Sequence, residues 1–272
     1  MADWSCVGSQ EISLVYGAGT TPSNTANTKG SWTTQATLNH SVDGFWINWS
    51  WMQTNGTART LLCDVSVDDV VIASNLAICP GGRNGSNDSR AHSGNTYFPI
   101  TLPPGVVKTR AQCSVASHGI VYFMLNVSPG IGLNTAGAQM TAYGVDTQNT
   151  KGTVVTASNT EGVYGSWVEM SASCNRISAL MAHVGHNNAW LGGLPDQWYR
   201  IMVGIGEVGS EHSIWVPHET GGSSSTTGLH HNQWHGPIYV DIPAGTRLAV
   251  CGAAQNSSGV QRVRDVILYG IS

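Results

Sequence analysis

Residues 17–49 and 152–184 align without a gap and share eight identities over 33 positions. Thr21, Ser23, Asn24 and Thr25 meet Thr156, Ser158, Asn159 and Thr160. Gly30-Ser31-Trp32 meets Gly165-Ser166-Trp167, and Gly17 meets Gly152. The identities then stop, but Phe45, Ile47 and Trp49 fall on Leu180, Ala182 and Val184. After a five-residue shift, Val65 falls on Ile205, Leu102 on Ile242, Pro103 on Pro243 and Gly105 on Gly245. Collinear matches of this kind indicate an internal duplication. Two copies are too few for a solenoid, so each is read as a domain. The chain divides into an N-terminal arm (1–16), a first repeat (17–128), a connection (129–151) and a second repeat (152–272).

The period inside each repeat is two. Ile238, Val240 and Ile242 alternate with Tyr239 and Asp241, the signal of a half-buried strand. Pro243 then fits the second position of a type I turn and Gly245 the fourth, before Leu248 and Val250 resume the alternation. In the first repeat, Pro103-Pro104-Gly105 favours a type II pivot at Pro104-Gly105. Further strands are predicted over 32–38, 44–52, 61–67, 70–76, 97–102, 107–115 and 120–127. The second repeat predicts strands over 167–173, 179–184, 198–205, 213–216, 237–242, 247–252 and 260–269. Short strands broken by Gly, Pro and Asn indicate two tandem antiparallel β-sandwich domains, all-β and jelly-roll-like. Trp32 and Trp167, at equivalent positions, are expected to anchor the two cores.

Only 10% of residues are Asp, Glu, Lys or Arg, against ~25% in a typical chain. Weak surface charge removes a solubility device and points to a surface covered in an assembly. The formal charge of −4 gives no basic footprint, so nucleic acid is not an expected partner. Met1 to Gln10 has neither a basic n-region nor an apolar h-region, so no secretory signal is predicted. No apolar run is long enough for membrane insertion. The six cysteines form no CxxC pair and read as reduced core residues.

The order of motifs in the second repeat carries a resemblance. Gly165-Ser166-Trp167, an apolar strand, Ile205-Gly206-Glu207-Val208-Gly209-Ser210-Glu211 and Asp241-Ile242-Pro243-Ala244-Gly245-Thr246-Arg247 follow one another. This series resembles a β-sandwich module of virion accessory proteins in tailed bacteriophages and gene transfer agents. Such modules sit in head spikes, tail fibres and receptor-binding tips. The first repeat matches more loosely, with Ser66-Val67-Asp68-Asp69 in place of the Gly-rich segment. The resemblance implies an architecture and a setting in the virion, made in the bacterial host cytoplasm, with other virion proteins and further copies of the chain as partners. It implies no catalytic set.

Seven of the ten histidines lie in the second repeat, and His230, His231 and His235 share a Gly/Ser-rich loop. Converging metal ligands need a second shell and a rigid frame, which this loop does not promise, so no metal and no cofactor are expected. Glu207, Glu211, Asp241 and Asp265 are the carboxylates a polysaccharide hydrolase would draw on. Glu207 and Glu211 read more simply as turn and edge residues, and no nucleophile motif is present, so no catalytic residue is assigned. The glycan-contact candidates are Trp190, Asp196, Trp198, His230, His231, Asn232, Gln233, Trp234 and His235. Flat aromatic faces suit the C–H surface of a pyranose, and Asn, Gln, His and Asp suit its hydroxyls. Packing against neighbouring subunits would use the same residues. The expected function is a structural component of a phage or phage-like particle that contributes to attachment to a host surface polysaccharide. A lectin-like protein outside any virion is the alternative, and a polysaccharide hydrolase a third reading.

Overall fold

The structure, a computed structural model, describes residues 5–7, 18–42, 44–52, 60–79, 91–116, 121–127, 137–185, 198–220, 233–255 and 263–272. The described residues contain strands and no helix, so none is long and apolar enough to cross a membrane. The chain forms two compact units. The first comprises residues 1–141, 147–150 and 271–272, and the second residues 142–146 and 151–270.

The first unit contains β1 (Ser5–Val7), β2 (Ala18–Thr20), β3 (Thr33–Leu38), β4 (Phe45–Met52), β5 (Leu61–Val67), β6 (Val70–Cys79), β7 (Ala91–Phe98), β8 (Gly105–Cys113) and β9 (Val121–Val127). One sheet runs β1-β9-β4-β7, with β2 also on β9. The other runs β6-β5-β8-β3. The N-terminal arm contributes β1, whose Ser5 pairs with Val127. Phe45 and Ile47 are buried, and Phe45 stacks on its cross-strand partner Phe98 at 5.3 Å. Leu61, Cys63, Val65 and Val107 are buried on the second sheet. β5 and β6 are joined by a two-residue turn in which Asp68 and Asp69 both have positive φ, 46° and 69°. That is the type I′ hairpin geometry matched to strand twist.

The connecting segment contains strand as well. β10 (Met140–Tyr143) sets Met140 beside Ala73 in parallel, an exception to the antiparallel expectation. β11 (Val145–Asp146) and β12 (Lys151–Thr156) pair antiparallel.

The second unit continues with β13 (Val168–Ser171), β14 (Ile177–Gly185), β15 (Trp198–Ile205), β16 (His212–Trp215), β17 (His218–Thr220), β18 (Gln233–Ile242), β19 (Leu248–Ala254) and β20 (Val263–Ile271). One sheet runs β13-β19-β15, with β16 and β17 both on the far edge of β15. The other contains β12, β20, β14 and β18. Tyr199, Ile201 and Val203 from the first sheet pack in one apolar cluster with Leu180, Ala182, Ile242 and Leu268 from the second. This is the interior of a β-sandwich. Ile238 and Val240 pack on the same cluster while Tyr239 and Asp241 are exposed, as the alternation predicts.

The turn after Ile242 differs from expectation. The Thr246 amide donates to the Pro243 carbonyl at 3.3 Å, so Pro243 is the first turn residue and Gly245 the third. Gly245 has φ +86°, which a type II turn requires at that place. Cys174 holds the turn from outside, accepting from the Gly245 amide and donating to the Thr246 carbonyl. In the first unit Gly105 has φ +145° and already begins β8, so no type II pivot forms at Pro104-Gly105. The Val42–Leu102 bridge and the Ile177–Ile242 pair occupy matching places.

The segments 21–32 and 157–167 cross the edges of their sheets with the same bonds. The Gly30 amide donates to Ala111 O at 2.9 Å, and the Gly165 amide to Gly252 O at 2.8 Å. The Asn27 amide donates to Cys113 O, and the Gly162 amide to Ala254 O. Ser23 Oγ accepts from the Thr25 amide, and Ser158 Oγ from the Thr160 amide, each at 3.1 Å. With Ala111 set on Gly252, strand register places Val65 on Val203, not on Ile205 as the sequence shift has it.

Candidate functional site

The odd residues of β15 fill the core, so Trp198, Arg200, Met202 and Gly204 face outward from the same strand. Trp167 lies on this outer face: a β-carbon at Gly204 would stand 2.7 Å from its ring. Trp32 is likewise half-buried, with the Arg110 guanidinium 4.4 Å from its ring centre. Neither tryptophan is the core anchor expected from its repeat position. Each is held by the crossing segment against the outside of a sheet.

The two units furnish this place differently. In the first, Lys29 Nζ and Arg110 Nε donate to Asp64 Oδ2 at 2.6 and 2.7 Å, and the Asn75 amide donates to Oδ1. In the common frame of the crossing segments, Lys29, Asp64 and Arg110 correspond to Tyr164, Met202 and Cys251. An ionic cluster in one unit is therefore a neutral one in the other. Burial pushes the Tyr164 phenol up, Arg200 draws it back and Cys251 adds to the rise. Burial also pushes the Cys251 thiol up, to about 12, so it is no nucleophile near neutral pH. Cys63, Cys113 and Cys174 are buried as well.

Strand register gathers one end of the second unit. Val184 pairs with Gln233, Trp198 with Thr220, Tyr199 with Ala254 and Thr156 with Val263. In one sheet the end of β14, before segment 186–197, therefore lies beside the start of β18, after 221–232, and the end of β12 beside the start of β20; in the other the start of β15 lies beside the ends of β17 and β19. Of the expected glycan contacts, Trp190, Asp196, His230, His231 and Asn232 lie outside the described residues. Gln233 is placed by its backbone at the start of β18.

Trp198 opens β15 half-buried at this end, with the Arg200 guanidinium 4.8 Å from its ring centre. Its backbone is fixed on both sides by Gln255, whose amide donates to Trp198 O and whose Oε1 accepts from Trp198 N. Trp234 stands differently. It lies 4.7 Å from the Tyr269 ring and meets His183 edge-on at 5.3 Å. Those contacts give Trp234 a packing role within the fold. His235 is half-buried immediately before the cis Gly236-Pro237 pair, where β18 bulges against β14.

The carboxylates are tied into the frame. Arg247 donates to Glu169 at 2.8 Å, to Glu211 at 3.0 Å and to Gly206 O at 3.1 Å. Asp241 pairs with Arg176 at 3.0 Å on the surface. Among the described residues no group of three His, Cys, Asp or Glu side chains could hold a metal ion.

Sequence reasoning missed one feature. Where the crossing segment leaves β12, it borders an open groove of about 610 Å³. Thr156, Ser158, Asn159 and Ser166 lie on it with the Tyr164 ring. Four of these belong to the repeated motif and read as framework. Tyr164, Val154, Ala157 and Val168 stand where the first repeat has Lys29, Gly19, Pro22 and Thr33, and the exchange of a cation for an aromatic at Tyr164 was the available signal.

No family model and no curated protein matches the chain. Among solved structures, it aligns with PNGF-II at 9% identity and a TM-score of 0.45, over 98% of this chain and 65% of that one. It thus spans 65% of that chain's length. It also aligns with the N-terminal CBM22-1–CBM22-2 tandem domain of Xyn10C from Paenibacillus barcinonensis. There the identity is 9% and the TM-score 0.28, over 100% of this chain and 91% of that one.

Proposed function

We propose that this protein is a structural component of a phage or phage-like particle that contributes to attachment by binding surface glycan through its second unit. The observation that carries the binding part is the gathering of strand ends around Trp198. Loops projected from one end of a rigid sandwich are a common seat of recognition. The segments anchored there supply Trp190, Asp196, His230, His231 and Asn232 by sequence. Trp198 supplies an aromatic surface whose backbone is held by the amide and the side-chain Oε1 of Gln255. The virion setting is supported by the motif series in the second repeat and by the low surface charge. The reading is of binding and assembly, not catalysis: Glu211 and Asp241 are both paired with arginine.

A glycan array probed with the full chain tests the binding part. Signal on bacterial surface polysaccharides, reduced at least tenfold by Trp198→Ala, is the expected result. No signal from the parent protein would overturn it. Mass spectrometry of purified particles tests the setting, because a free lectin would be missing from them.

A further inference from the structure

We infer that the groove beside β12 is a second binding site on the second unit, and that it takes a neutral sugar residue. The inference rests on the glycan reading but uses different residues. A volume of about 610 Å³ is within the usual range for small-molecule sites.

The chemistry of the walls selects the class. Thr156, Ser158 and Ser166 present hydroxyls, Asn159 a carboxamide and Tyr164 a phenol. Val154 and Val168 add apolar surface, and Val154 is exposed on an otherwise polar strand edge. No lining residue carries a formal charge. A polyol with an apolar C–H face matches this set, since hydroxyls and amides both donate and accept. An anion would find no cationic side chain on the wall, and a cation no carboxylate. Thr156, Asn159 and Ser166 are exposed, so their polar atoms are accessible.

The groove is also preorganised. Gly165 and Gly162 are bonded to β19, and Ser158 Oγ accepts from the Thr160 amide. A ligand therefore pays little to order the wall it meets. The first unit repeats the backbone of this segment, but Lys29 stands in place of Tyr164 and turns its ammonium onto Asp64. The aromatic wall is absent there, which makes Tyr164 the specificity-determining residue and sets this groove apart from the matching place in the first unit.

The test is saturation-transfer NMR with the full chain and five probes: glucose, galactose, mannose, N-acetylglucosamine and glucuronic acid. The expected result is transfer to at least one neutral sugar and none to glucuronic acid. Asn159→Ala and Tyr164→Ala should each weaken the signal at least fivefold, while Tyr239→Ala on the exposed face of β18 leaves it unchanged. Asn159 is exposed, so its variant keeps the test valid if Tyr164→Ala fails to fold. Equal transfer in the Asn159→Ala variant and the parent protein, equal transfer to glucuronic acid, or no transfer to any neutral sugar would overturn the inference. Loss in Trp198→Ala with full signal in Asn159→Ala and Tyr164→Ala would overturn the groove while leaving the glycan reading intact.

Discussion

A β-carbon at Gly165 would stand 2.3 Å from the carbonyl oxygen of Thr156, a backbone atom with no freedom to withdraw. Gly30 has the same relation to Thr21, also at 2.3 Å. The close approach lets the crossing segment lie flat enough for its amide to reach the neighbouring strand. Gly165→Ala should therefore lift the segment and break the bond to Gly252. Overpacking of this kind costs about 1–3 kcal/mol. Hydrogen-exchange mass spectrometry should show lost protection over 157–167 and β19. Protection equal to the parent's would sink the argument.

Asp64 gives a second prediction, confined to the first unit. Its carboxylate is shielded from solvent, while Lys29 and Arg110 keep about a quarter of their surfaces exposed. Asp64→Asn leaves two cations facing each other over an uncharged group. Removing one partner of a buried ionic set costs about 3 kcal/mol. The triple variant Lys29→Tyr, Asp64→Met, Arg110→Cys copies the neutral set of the second unit and should recover much of that loss. Exchange rates in β5 and β8 read both outcomes. A triple variant no better than Asp64→Asn would contradict the equivalence of the two sites.

The predictions rest on features of unequal legibility. Period-two alternation placed β3, β4, β5 and β15 within a residue of their observed bounds, because half-buried strands write their faces into the sequence. β12 was missed: it lies across the boundary assigned to the connection, with only Val154 and Val155 as apolar signal. Proline's preference for the second turn position misled at Pro243, where the positive φ of Gly245 and the clamp from Cys174 decide the geometry. The tryptophans show a different limit. Identity at Trp32 and Trp167 says that the position matters, but not which side of the sheet it covers. The groove was hidden for a related reason. Its hydroxyls also hold the crossing segment, so residue type alone does not separate scaffold from site.

Asp265 sets a pH dependence. Burial pushes its carboxyl from 3.8 up to about 7, with Lys151 drawing it down and Asp146 adding to the rise. Its Oδ1 has no hydrogen-bond partner among the described residues. Between pH 4 and 7 the folded chain holds a proton that the unfolded chain has released, so stability falls as pH rises through that window. The full effect is on the order of 4 kcal/mol. Asp265→Asn should remove the slope and protect β12 and β20 better than the parent at pH 8. An unchanged slope between pH 5 and 8 would show that another group carries it.

Arg247 works in the opposite direction on the acid side. Burial favours the protonated form of Glu211, but its own amide, Arg247 and the Gly209 amide together hold the carboxyl below its usual 4.5. Its contribution is present above that value and is lost as pH falls through the lower folded one. Arg247→Met should lower the melting temperature of the second unit at pH 7 and flatten its decline in acid, because Glu211 loses the partner that keeps it ionised. Arg247→Lys should recover only part, since one ammonium cannot reach Glu169, Glu211 and Gly206 O as the planar fork does. Melting curves from pH 3 to 7 follow all three proteins. If Arg247→Met keeps the parent's acid limb, the pairing with Glu211 does not govern stability at this corner.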